Sequence, residues 1–482
     1  MSRSARTGPP EQADPTVFAT ALADLGRSVG LPEPGARVRF QAEALSLETR
    51  FMAGEAAAAA LAAGAATANQ IATARGLPAS VIDVASRHAE ASLVSFAHLR
   101  FEDPSRAPPA RLAPEQRTAA AGFHRTADGR WVYLHAGFPN NTHGLLQLLG
   151  VHDDLDAVRA AVGSRSGAEL EAAVAAAGLC GALVRSAAEW DASTAGQLLG
   201  QRPVVDIVQL GDSPAEPFPA ARARPLEDLK VLDLTRVLAG PTCGRTLASY
   251  GARVLRIGAP QLPTIPLFVA DTGFGKRSAH LDLTRPDDQQ TLRRLLREAD
   301  VFAQGYRTGA MDRLGFGVTD VAQLRPGIVY VSINCYGHEG EWRARPGWEQ
   351  LAQTVTGMAD AHGAHLDADG PVLQPAAVTD YTTGYLAAFG VLAALARRAE
   401  VGGSYWVRVS LARTGMWVRS LGLRDSHRAR APEADEVARW RTRTDSAWGP
   451  LEHLRPAVNL SAAPAHWVLP PVPVGSDPAS FD

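Results

Sequence analysis

The sequence predicts an α/β fold, with a large domain built on a parallel sheet and a smaller α+β domain beside it. Three observations carry this expectation. The stretch KVLDLTRVLAGPTCGRTLASYGARVL, 230–255, reads as strand, tight turn, helix and strand. Further strands are expected downstream at Ser278–Leu283, Asp300–Ala303 and the β-branched Ile328–Ile333, separated by helical patterns, as in a sheet joined by crossover helices. Upstream, a strand at Trp131–His135 follows the Asp128-Gly129 turn, and helical stretches at Asn141–Leu149 and Ser166–Ala177 complete a smaller unit.

Composition bounds the problem. The chain has 482 residues, enough for two or three domains, and its 46% hydrophobic and 20% charged residues are ordinary for a globular protein. A formal net charge of −2 predicts no bulk attraction to nucleic acid or to a membrane surface. Cys180, Cys243 and Cys335 are few, odd in number and far apart, which fits a reducing cytoplasm and excludes a disulfide framework or a zinc cluster. The polar start has no apolar core of a secretory signal, and the Ala-rich run Glu55–Ala66 is too short to span a bilayer, so a cytoplasmic location is expected.

Taken in order, residues 1–14 read as disordered and 15–93 as helical. Phe18, Leu22, Leu25 and Val29 share one helical face. Glu55–Arg75 is an Ala-rich helix, Ala79–Val84 a short strand and Ala85–Phe96 a helix. This segment echoes a later one: laying Gly54 on Gly384 pairs Val84 with Val409 and gives glycine, Ala-rich helix, turn, strand and helix twice. The echo is a degenerate internal repeat in which Arg50 falls opposite Asp380. Pro104–Arg117 reads as a Pro- and Arg-rich linker. In the large unit, Pro241 suits the first turn of a helix over Thr242–Tyr250, and Gly251 stops it before the strand Arg253–Ile257. The spacing is not G-x-G-x-x-G, so neither nicotinamide nor flavin is indicated. Thr284 is expected to cap a helix, with Pro286 and Asp287 following, and Thr308–Leu314 to form a short helix. Asp380 stands just before a helix over Thr382–Arg398, where the pattern alone favours an N-cap over a reactive carboxylate stabilised at the positive helix end. Residues 427–482 read as an irregular tail. The expected divisions are 1–103, a helical region; 104–177, the small α+β domain; 178–426, the large domain; and 427–482, the tail.

Five signatures carry a resemblance. LDLTRVLAGP, GKRSAHLDL, RTGAMDRLGFG, YVSINCYGHEG and VTDYTTGYLAAFGVLAALARR stand in the order and at the intervals found in the family III CoA-transferases, the CaiB/BaiF family. The resemblance covers about Pro225 to Leu423 and implies a Rossmann-like large domain with coenzyme A as co-substrate; no C-x-x-C or HExxH spacing exists, so no metal is expected. GFHRTADGRWVYLHAGFPNNTHGLLQLLG resembles the family's small domain, but here it precedes the Rossmann-like half instead of following it. That order implies a rearranged or fused gene. It leaves two assemblies open, a homodimer or a single-chain pseudo-dimer.

The resemblance makes Asp380 the nucleophile of an acyl-CoA:carboxylate CoA-transferase, acting through an aspartyl-CoA thioester. Its partners would be an acyl-CoA and a small carboxylic acid. Trp348-Glu349 occupies the position where the family's racemases carry His-Asp; Trp348 cannot take a proton from carbon, so transfer is favoured and Glu349 is expected to assist. As a helix-start residue Glu349 reads equally as solvated. Val237, Leu281, Tyr306, Ala310, Arg313 and Leu314 match family CoA-contacting positions, and Arg307, Lys276 and Arg277 lie near them as candidates for the phosphates. Oxyanion donors are expected from Gly337, Gly340 or the Ala239-Gly240 turn. Leu238, Ala259, Gly305 and Pro346 depart from the family pattern and speak against a formyl or oxalyl substrate. His338 reads as solvated. His362 and His365, off any clear helix, lack the further ligands a metal needs. Two alternatives stay open on the same fold: an acyl-CoA racemase or isomerase, and a non-catalytic acyl-CoA binder.

Overall fold

The computed structural model describes residues 10–31, 37–108 and 118–481. The disorder expected for residues 1–9 and most of the expected linker, 109–117, lie outside them. A seven-stranded sheet organises the molecule. Its strands are β1 (Asp206–Gly211), β2 (Lys230–Leu234), β3 (Arg253–Gly258), β4 (Lys276–His280), β5 (Val301–Gln304), β6 (Val329–Asn334) and β7 (Ser404–Ser410). The order across the sheet is β4-β3-β2-β5-β6-β7-β1. All neighbours are parallel except β7 and β1. From β2 onward this is the doubly wound order, and the order of successive strands across the sheet reverses between β2 and β5. The carboxyl ends of those strands therefore bound a crevice, the usual place for a ligand in such sheets. Both faces are covered, and Val231, Leu232, Val301, Phe302, Val329 and Val331 are nearly inaccessible. That is why these strands are continuous apolar runs and do not alternate.

Two long helices, α1 (Ala53–Ala74) and α4 (Val378–Val401), pack on each other at the centre. Both are apolar on all sides and buried along most of their length, as expected of core helices. The first copy of the internal repeat continues from α1 into a strand, Ile82–Ala85, and a helix, Ser86–Ser92. The second continues from α4 into β7 and a helix, Leu411–Ser420. One core joins Leu25, Ala60, Val331, Phe389 and Leu460, so the N-terminal region and the tail share the packing of the large unit. No helix among the described residues is long and apolar enough to cross a membrane.

The small unit has its own core of Val132, Leu145, Val158, Leu170 and Val174. Its three-stranded sheet is completed by Gly181–Leu183, beyond the expected boundary at 177.

Several local expectations are corrected. Residues 10–14 are ordered, and Asp14 caps the helix Pro15–Ser28. The helix after β2 is α2 (Ala239–Ser249), which begins at the AGP turn itself. Arg285, not Thr284, occupies the N-cap position of the helix Pro286–Glu298, with no side-chain cap bond, while Thr284 donates its N–H and hydroxyl to Asp282. The tail is not irregular throughout. It forms a helix (Ala434–Trp440) and a hairpin of Arg441–Ser446 with Gly449–Leu454; the second hairpin strand pairs with Arg100–Phe101, and Asn459–Leu460 pairs with Ile82–Asp83.

Candidate active site

A cleft of about 830 Å³ opens at the carboxyl ends of β2, β5 and β6, between the large unit and the small one. Among the described residues, five arginines line it, Arg236, Arg307, Arg313, Arg343 and Arg345, and no carboxylate does. It therefore suits an anionic ligand. The small unit contributes Phe138, Asn141 and Cys180 to the wall. A hollow of about 350 Å³ adjoins, sharing Arg236 and Tyr306 and adding Arg256 and His280. Arg256 is 6% exposed, and its Nε has no partner among the described residues.

Asp380 does not line the cleft itself; its N–H is held by Glu349, the residue after Trp348 of the cleft wall, and it lies within electrostatic reach of Cys335 on that wall. It is in the first turn of α4, two residues inside the helix, and so does not cap it from outside as expected. It is 7% exposed, and its carboxylate makes no hydrogen bond among the described residues. Burial, and then the charge of Glu349, push its pKa well above the usual carboxylate range. Glu349 opens the helix α3 (Glu349–Val355) and is 6% exposed, not solvated. Its carboxylate accepts from the Thr379 N–H at 3.0 Å, the Thr379 hydroxyl at 2.5 Å, Gln353 Nε2 at 2.6 Å and the Asp380 N–H. Burial raises the Glu349 pKa and these donors oppose the rise. The two carboxylates titrate as a pair, and the four donors favour charge on Glu349 and the proton on Asp380. Cys335, on the cleft wall, lies within electrostatic reach of both. Trp348 lines the cleft beside it, packed against His135 (5.6 Å between rings) and Phe138 (5.2 Å).

The N-terminus of α2 faces the first turns of α4. A Cβ on Gly384 would stand 2.5 Å from the Ala239 carbonyl oxygen, so only glycine allows this approach. The N–H groups of Ala239 and Gly240 have no partner among the described residues, as expected for the first turn of a helix. The turn is strained: Val237, a β-branched residue, has φ +69°. Among the other expected oxyanion donors, Gly337 is engaged, donating its N–H to Asn334 at 2.7 Å.

The expected coenzyme A residues divide. Tyr306, Arg307, Ala310 and Arg313 line the cleft. Leu281 belongs to the core, and Val237 and Leu314 pack against it. Lys276 is not available to a phosphate: it is buried, with Nζ 2.7 Å from Asp233 and 2.7 Å from the Pro241 carbonyl. Arg277 lines a separate hollow with Arg224. Gly305 and Pro346 line the cleft, Ala259 the adjoining hollow, and Leu238 is buried. Sequence reasoning missed Arg236, Arg343 and Arg345; Arg236 lies inside LDLTRVLAGP, and that was the available signal. His338 is not solvated. It is half-buried against Trp406, and burial pushes its pKa down to about 3. His362 and His365 do lie on a helix, Met358–His365, and no group of three metal-ligating side chains is found among the described residues.

The model of the family described as CoA-transferase family III matches residues 226–447. The "Acetyl-coenzyme A transferase nodX" of Hypoxylon pulicicidum is 36% identical over 65% of this chain and 56% of its own length. The "Probable fatty acyl-CoA transferase Rv3272" of Mycobacterium tuberculosis is 30% identical over 51% of this chain and 67% of its own. A solved structure of a CaiB/BaiF family protein from Brucella suis is 24% identical over 48% of this chain and 65% of that one, with a TM-score of 0.38. The chain belongs to CoA-transferase family III. It spans just over half the length of the first curated relatives it matches.

Proposed function

We propose that the protein is an acyl-CoA:carboxylate CoA-transferase with Asp380 as nucleophile. The observation that carries this reading is an unpaired, buried carboxylate within electrostatic reach of Cys335 on the wall of an arginine-lined cleft, with a second carboxylate, next to Trp348 of that wall, gripping its backbone. An Asp380 Oδ attacks the thioester carbonyl of the donor, giving a mixed anhydride and CoA thiolate. The thiolate attacks the Asp380 carbonyl carbon, releasing the donor's carboxylate and leaving an aspartyl-CoA thioester. The acceptor carboxylate attacks this thioester, forming a second anhydride and thiolate. The thiolate then attacks the acceptor's carbonyl, giving the new acyl-CoA and freeing Asp380. No electron is gained or lost. Each tetrahedral step develops an oxyanion, for which the free Ala239 and Gly240 N–H groups at the α2 N-terminus are suited donors. The arginines of the cleft and Arg256 in the adjoining hollow suit the phosphates of coenzyme A. Of the expected contacts, Tyr306, Arg307, Ala310 and Arg313 fit this role and Leu281 does not.

The test is intact-mass analysis after mixing with a panel of acyl-CoAs, with trapping by hydroxylamine. The expected result is a CoA adduct that maps to Asp380 and is lost in Asp380→Asn. Tight CoA binding without any adduct, for every acyl-CoA tried, would overturn the proposal.

A further inference from the structure

The carboxylate pair is tied to the degenerate N-terminal copy by a chain of buried hydrogen bonds. Thr49 Oγ1 donates to Gln374 Oε1 at 2.5 Å. The Gln374 N–H donates to Gln353 Oε1 at 2.7 Å, and Gln353 Nε2 donates to Glu349 Oε1 at 2.6 Å. Glu349 in turn holds the Thr379 and Asp380 N–H groups. Every link is buried: Thr49 is 2% exposed, Gln374 6% and Gln353 1%. In the repeat alignment Thr49-Arg50-Phe51 falls opposite Thr379-Asp380-Tyr381. The two matched threonines therefore act at opposite ends of one chain. Thr379 donates its hydroxyl to Glu349, and Thr49 anchors the glutamine that orients the glutamine beside Glu349.

We infer that Gln353, backed by Gln374 and Thr49, is a positioning residue for the Glu349–Asp380 pair, and that the N-terminal copy serves the site as its buttress. The copy lost its own nucleophile position to Arg50, whose Nε instead donates to the Arg424 carbonyl, but it kept the threonine. The physical reason is amide geometry. Gln353 presents its N–H to Glu349 only while its oxygen is held by the Gln374 N–H, because reversing the amide would set oxygen against carboxylate. Glu349 then keeps both oxygens aimed at the first turn of α4, fixing the backbone from which Asp380 projects.

The inference rests on the proposed reaction, and two readouts separate their failures. Thr49→Val and Gln353→Leu are examined by single-turnover adduct formation. The expected result is a loss of about 10- to 100-fold for Gln353→Leu and a smaller one for Thr49→Val, with half-saturating acyl-CoA unchanged. Gln353→Leu should cost nothing further in a Glu349→Gln background. Hydrogen exchange provides a readout free of turnover. The Thr379 and Asp380 amides should exchange about tenfold faster in both variants, while the amides of 386–395 in the same helix stay as in the wild type. Uniformly faster exchange along the helix, or equal losses with and without Glu349, would mean only general destabilisation and would overturn the inference. If the wild type forms no adduct, the proposed reaction fails, and the exchange pattern alone decides the positioning role.

Discussion

Substituting Gly384 by alanine tests the contact on which the site is built. A Cβ there would lie 2.5 Å from the Ala239 carbonyl oxygen and 2.6 Å from Thr242 Cβ. Ordinary contact begins near 3.4 Å, so α2 and α4 must separate by about 0.9 Å or bend by as much. Neither neighbour can swing aside, since one is backbone and the other a buried, β-branched side chain. Overpacking of this kind costs about 1–3 kcal/mol. The catalytic cost is larger in proportion. Asp380 is one turn from Gly384, and the Ala239 and Gly240 N–H groups sit on the helix that is pushed away. A misplacement of about 1 Å typically lowers a rate by about 100-fold. The expected outcome for Gly384→Ala is a lower denaturation midpoint together with a 10- to 100-fold slower adduct formation. Gly64→Ala is the control: its Cβ would stand 4.0 Å from Leu392, an ordinary contact, in the middle of α1. It should be neutral or stabilising, since alanine favours a helix by about 1 kcal/mol over glycine. If Gly384→Ala matches Gly64→Ala in both measurements, the helix contact does not set the site.

Three further outcomes are expected. Adduct formation should rise with pH, because Asp380 reacts ionised and its pKa is raised; Glu349→Gln removes the second cause of that rise and should move the profile to lower pH, leaving the part due to burial. Asp380→Asn should be more stable than the wild type at pH 8 by thermal denaturation, with the difference vanishing below about pH 4: the folded protein binds the Asp380 proton more tightly than the unfolded chain, so wild-type stability falls as pH rises from the free-carboxylate value through the raised one. Lys276→Met should cost about 3–5 kcal/mol in denaturant midpoint analysis by stranding the buried Asp233, and adding Asp233→Asn should recover part of the loss.

Five parallel strands of the central sheet were legible, each within three residues of the observed one, and burial on both faces is what makes β2, β5 and β6 apolar runs; β1, the antiparallel edge strand, was not expected. The start of α4 was placed late. Val378, Thr379 and Asp380 are weak helix formers, and the Glu349 carboxylate, distant in sequence, satisfies the N–H groups that begin the helix. The tail's pairings with Arg100–Phe101 and Ile82–Asp83 went unread because those partners lie more than 340 residues away. Short strands owe their existence to pairing rather than to propensity.

What the chain alone determined is therefore local: the alternation of strands and helices, the break at Ala239–Pro241, and the repeat that sets Arg50 opposite Asp380. The tertiary structure decided which polar side chains meet. It turned Lys276 inward to Asp233 and away from any phosphate, gathered Arg236, Arg343 and Arg345 into one cleft, and linked Thr49 to Glu349 through two glutamines. A buried polar group must find a partner wherever the fold brings one within about 3 Å. Sequence spacing carries no trace of partners that are joined only when helices from distant parts of the chain pack together.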